Sequence, residues 1–114
     1  MPRQARLDSP GLLHHVIARG IERRDIFRSS HDYQDFLARL EQGVEKDRNQ
    51  IFAWALMPNH FHLLVRSGSG GLPSMMRRLM TGYAVAFNTR HKRSGHLFQH
   101  TPPPEQCAWK GQLP

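Results

Sequence analysis

The stretch IFAWALM-PN-HFHLLVR, residues 51–66, constrains the fold more than any other part of the chain. Its two halves are strand-like runs of aromatic, branched and aliphatic residues, and only Pro58 and Asn59 separate them. A connection that short has no room for a crossover, so the halves must pair as an antiparallel hairpin. The second half is interrupted by His60 and His62 on either side of Phe61. Alternate residues of a strand point the same way, so the two imidazoles stand together on one face while Phe61, Leu63 and Val65 occupy the other. Imidazoles so placed can share a metal ion, but a hydrogen-bonded pair of strand histidines has the same spacing.

The elements around this hairpin follow from periodicity. LLHHVIARG, residues 12–20, reads as a strand entered from SPG and left through a basic loop. A helix is expected from about Ser30 to Lys46, with Ser29 three residues before Asp32 as a loose capping signal. Tyr33, Phe36, Leu37, Leu40 and Val44 recur along it at helical spacing. After the hairpin, SGSGGLPS links to a second helix, roughly Ser74 to His91, with Pro73 where a first turn tolerates proline. Its apolar stripe is Met76, Met80, Tyr83 and Phe87. The order β-α-β-β-α gives an α+β fold of ferredoxin-like type, a split β-α-β with an antiparallel sheet, lacking the final strand. The tail HTPPPEQCAWKGQLP contains three successive prolines, which cannot donate to a sheet ladder, so it is not expected to supply that strand. The division expected is a domain over 1–99 and an irregular tail over 100–114. Trp54 is expected in the core, and His31, His91 and His96 at the surface. Of His14 and His15, neighbours in a strand, one at most can face any site, in a supporting role.

Charge says more by its placement than by its sum. Residues 1–47 carry eight Lys/Arg and eight Asp/Glu, whereas residues 48–104 carry seven basic side chains and no acid, which accounts for the net +7. Any carboxylate acting in that second half has to fold in from the first. Thirteen of the sixteen cations are arginine, whose planar fork suits phosphate oxygens. The pattern points to a polyanionic partner, nucleic acid foremost, against the plainer reading of a solvated basic surface. Cys107 is the single cysteine, so no internal disulfide forms. No apolar run approaches the roughly 18 residues that cross a bilayer, and a cytoplasmic, membrane-free protein is expected.

Tyr83 is one of two tyrosines and lies on the stripe that the second helix turns toward the sheet. An aromatic there is ordinarily a core anchor; alternatively its phenol serves as a nucleophile, provided a nearby cation favours the phenolate. At this point the motifs form a recognisable set. LMPNHFHLLV, the Gly/Ser linker, the helix bearing Tyr83, FNTRHKRSGHLFQ and the upstream GLLHHVIARGIERRDIF together resemble the REP-associated tyrosine transposases, which are HUH-type single-tyrosine enzymes of insertion sequences. The resemblance runs from about Arg3 to Gln99.

It implies a metal-dependent transposase that cleaves and rejoins single-stranded DNA beside palindromic hairpins through a covalent 5′-phosphotyrosine. His60 and His62 would hold a divalent ion, magnesium or manganese, although imidazole pairs favour zinc on ligand chemistry alone. Tyr83 would be the nucleophile, and Arg19, Arg23, Arg24, Arg77, Arg78, Arg90, Lys92 and Arg93 would contact the DNA backbone. A homodimer and a monomer both fit. Two features depart from the family pattern. The third metal ligand is expected about one turn beyond the tyrosine, where Phe87 cannot ligate, leaving Asn88, which an ideal helix turns about 140° from Tyr83. The basic, aromatic strand expected after SGHLFQ is replaced by the proline-rich tail, which suggests a frameshift or truncation. The alternative function is a catalytically inactive nucleic-acid-binding remnant; a zinc protein unrelated to DNA is a third reading.

Overall fold

The computed structural model describes residues 11–99 and the backbone of Ala108–Trp109. The elements are β1 (Leu13–Arg19), α1 (Ser30–Asp47), β2 (Gln50–Met57), β3 (His60–Arg66), α2 (Leu72–Arg90) and a two-residue β4 (Ala108–Trp109), with a 3₁₀ turn at Ile21–Arg23. The strands form one antiparallel sheet in the order β2-β3-β1-β4. This is the ferredoxin-like arrangement expected from the element order. The expected absence of a final strand is corrected in part, since Ala108 pairs with Val16 and Trp109 with His15. The prolines that disqualify their own segment from a ladder stand ahead of these two residues and do not prevent them from pairing. Nearer the loop end, the same edge of β1 is covered by residues 97–99, through a Gly20–Phe98 bridge and a Gln99 N–H that donates to Arg19 O at 2.8 Å. The rest of the tail, Cys107 included, lies outside the described residues.

Local chemistry explains the helix boundaries. Ser29 Oγ accepts the Asp32 N–H at the start of α1, and Arg48 in the left-handed region closes it. Pro73 occupies the first turn of α2, where its missing N–H has no helical partner to lose. Both helices cover one face of the sheet. Phe36 and Leu40 of α1, Met75, Met76, Leu79, Met80, Tyr83 and Phe87 of α2, and Val16, Ala18, Phe61, Leu63 and Val65 of the strands are buried together. At Gly43 the helices approach so closely that a Cβ would meet Met75 Cγ at 2.7 Å.

Two assignments change. Trp54 is 55% exposed, because β2 is an edge strand and a bulge between Ile51 and Ala53 disturbs its register. His91 is half-buried, with Nε2 within 3.1 Å of both carboxylate oxygens of Asp32. His31 and His96 are exposed, as expected.

Candidate functional site

The face of the sheet opposite the helices carries the histidine pair. On β3, Phe61, Leu63 and Val65 are fully buried toward the helices, while His60, His62 and Leu64 alternate with them and are half-exposed. The His60 and His62 rings lie 5.0 Å apart, nearly perpendicular. His15 joins them from β1, its Nε2 3.0 Å from His62 Nδ1 and the two rings stacked at 5.2 Å. Asn59, in the hairpin turn, places Oδ1 2.8 Å from His60 Nδ1. Burial, reinforced by the charges of His60, His15 and Arg19, pushes the His62 pKa below its ordinary value, which favours the neutral ring that can ligate. His14 faces the other way and is buried, its Nε2 without a hydrogen-bond partner.

Tyr83 does not join this group. Its side chain is 0% exposed on the helix side of the sheet, packed against Phe27, Phe36 and Phe87. Its phenol donates a hydrogen bond to the Ile26 carbonyl. Burial, with the nearby charge of Asp32, pushes its pKa well above the tyrosine range, so no phenolate is favoured. The expected closeness of Tyr83 to His60 and His62 is therefore corrected: the sheet lies between them. Tyr33 is also on the helix side, stacked on Phe27.

Asn88 is likewise removed from the pair. Its Nδ2 donates to Gly95 O at 3.0 Å and its Oδ1 accepts from Arg93 Nη1 at 2.8 Å, so its amide shapes the loop after α2. Among the described residues, no group of three or more His, Cys, Asp or Glu side chains converges on a metal position. The donors present fit a divalent ion in part: two adjacent imidazoles whose Nδ1 atoms are engaged by neighbours.

The cations expected to contact DNA divide into two sets. Arg90 is committed to α1, with contacts to Asp32 at 2.8 Å and Asp35 at 3.3 Å, and Arg78 is bound to Asp47 and Ser74. Arg77 is exposed near the start of α2. The rest gather near the histidine end. Arg19 stands opposite His60 in the ladder, Arg23 and Arg24 follow in the loop, and Lys92 and Arg93 lie just past α2. The charges of Arg24 and Arg28, after burial, help depress the Arg93 pKa, which places these three guanidiniums in one electrostatic neighbourhood. Arg28 was not singled out from sequence; it lies over the Phe87 ring at 5.4 Å. His15 was given only a supporting role, although strand parity assigns either it or His14 to the histidine face.

Gly20 brings the basic loop close to the sheet. A Cβ there would meet Arg24 O at 2.0 Å, a backbone atom that cannot yield. Glu22 and Arg23 then take left-handed conformations, held by Ile21 N–H to Leu97 O at 2.8 Å and Arg24 N–H to Ile21 O at 2.9 Å. The Ile26 and Phe27 N–H groups both donate to Pro58 O, which seats the loop on the hairpin turn beside His60.

Comparison with known proteins gives a consistent likeness. A family model described as "Transposase IS200 like" matches residues 9–101. The fold is similar to that of a REP-associated tyrosine transposase bound to a REP hairpin, with a TM-score of 0.67 at 17% identity, covering 98% of this chain and 64% of that one. It is also similar to a candidate transposase from Deinococcus radiodurans R1, with a TM-score of 0.58 at 16% identity, covering 80% and 70% of the two chains. A search of curated proteins finds no match. The chain thus spans 64% of the length of the first of these structures.

Proposed function

The chain belongs to the family of IS200-like transposases, and from that premise we propose that it binds hairpin-bearing single-stranded DNA across its arginine-rich end, with a phosphodiester next to His60 and His62. The observation that carries this reading is the adjacency of the histidine pair to the basic loop: Arg19 faces His60 across the ladder, and the loop is seated on the turn that precedes His60. Arginine forks and Lys92 supply phosphate contacts, and the exposed sheet face leaves room for a strand to pass the imidazoles. The hairpin ligand is suggested by the REP-associated relative of similar fold.

His60 and His62 would hold a divalent cation, magnesium or manganese. When bound, such an ion polarises a phosphoryl oxygen and neutralises developing charge. The chain's own contribution is to orient the strand and to favour the neutral ring at His62, whose pKa burial lowers.

Tyr83 is read here as an anchor for the basic loop and not as a nucleophile. Both tyrosines of the sequence, Tyr33 and Tyr83, lie on the helix side. On this reading neither Tyr33 nor Tyr83 acts at the histidine face. Incubation with a DNA hairpin and manganese tests this. Salt-sensitive binding without a denaturation-resistant adduct is expected. An adduct that disappears in Tyr83→Phe overturns it.

A further inference from the structure

His15 lies two residues before Ile17, which stands opposite His62 in the β1–β3 ladder. Parity puts His15 and His62 on the same face, and their rings meet diagonally, 5.2 Å apart and only 22° from parallel. The contact joins His15 Nε2 to His62 Nδ1 at 3.0 Å. On β3, His60 makes the corresponding contact through its own Nδ1, to Asn59 Oδ1 at 2.8 Å. A carboxamide oxygen only accepts, so this contact fits a neutral His60 ring with its proton on Nδ1 and a lone pair on Nε2. For His62 to match it, Nδ1–H must donate to Nε2 of His15, and His15 must be the acceptor.

We propose that His15 is a positioning residue, which accepts the Nδ1–H of His62 and so fixes both the tautomer and the ring plane that leave His62 Nε2 available to a divalent cation. The role rests on the reading of His60 and His62 as a cation pair. It makes the two ligands equivalent in chemistry: each imidazole is held at Nδ1 by a neighbouring acceptor, one a turn amide and one an imidazole on the adjacent strand. An orienting acceptor of this kind matters because a ring with its proton on Nε2 has no lone pair there to give, and a freely rotating ring loses orientation on binding.

Two measurements test the role separately from the cation reading. Nitrogen-15 spectra of the histidine rings in metal-free protein, at a pH where the rings are neutral, are expected to show His62 protonated on Nδ1. The His15→Ala variant should shift His62 toward the Nε2–H form that free imidazoles prefer, and His15→Gln, which offers Oε1 as acceptor, should restore the Nδ1–H form. In manganese titrations, His15→Ala is expected to bind about 10–100-fold more weakly than the parent. His15→Gln should recover most of the loss, and thermal melting would confirm that each variant is folded. Wild-type His62 protonated on Nε2 overturns the role without any substitution. Unchanged manganese affinity in a folded His15→Ala also overturns it and leaves the His60–His62 reading standing. If manganese fails to bind the parent protein, the cation reading falls, while the metal-free nitrogen-15 spectra still decide whether His15 accepts the Nδ1–H of His62.

Discussion

The Tyr83 side chain ties α2 to the loop that carries Arg24 and Arg28. Its ring fills the space between Phe27, Phe36 and Phe87, and its hydroxyl is bonded to the Ile26 carbonyl, 57 residues away in sequence. Ile26 is fully buried, so water cannot replace that donor. Tyr83→Phe keeps the ring and removes only the hydrogen bond. The orphaned carbonyl should then cost about 1–3 kcal/mol, read as a melting temperature lower by several degrees. Hairpin affinity should fall as well, because Arg24 and Arg28 flank the segment that Tyr83 pins. A nucleophile would behave in the opposite way: the phenylalanine variant would melt like the parent, bind DNA and lose only covalent chemistry. Thermal melting together with a binding titration therefore separates the two roles with a single oxygen atom.

At the scale of elements, the start of α1 is tied to the end of α2. Asp32 is fully buried and meets the Arg28 N–H at 2.7 Å, Arg90 at 2.8 Å and His91 at 2.9 Å. Burial alone would raise its pKa; the Arg28 amide, His91 and Arg90 together outweigh burial and hold it below the ordinary carboxylate range. A depressed folded pKa means that Asp32 adds stability above the unfolded value of about 3.9 and loses that contribution as pH falls through its folded value. Asp32→Asn should cost on the order of 3 kcal/mol at neutral pH. Denaturant melts at neutral and acid pH should show the gap between parent and variant narrowing below about pH 4. The sequence could not disclose this clasp. Charge on a helix end is legible in Arg90, whereas its partner 58 residues away is not. The match of Arg78 to Asp47, 31 residues away, is hidden in the same way. What was legible is what local chemistry decides: the two-residue hairpin connection, the parity that puts His60 beside His62, the Ser29 cap and the Pro73 first turn. What was not legible depends on packing across elements. Trp54 is exposed because β2 ends the sheet, and Tyr83 faces away from the histidines because α2 lies on the side of Phe61.

Across the whole molecule, the described cations outside the ion pairs stand at both ends of the sheet. Arg19, Arg23, Arg24, Arg28, Lys92 and Arg93 surround the histidine end, while Lys46, Arg48, Arg66 and Arg77 lie toward the other end of the fold. Among the described residues, no helix is long and apolar enough to cross a membrane, so a bilayer-spanning role has no support from these helices. A polyanion laid across the histidine end would displace one condensed counterion set for each phosphate neutralised, and log affinity would fall linearly with log salt by about 0.7–0.9 per contact. Engagement of the whole basic end gives a slope of about −4 to −5. Replacing Arg24 and Arg93 together by alanine should make that slope shallower by roughly 1.4–1.8. Replacing Arg77 should leave it unchanged, since that side chain is exposed at the far end. Hairpin titrations at several salt concentrations read all three numbers, and equal effects from the two ends would mean that DNA runs along α2 and not past His60 and His62.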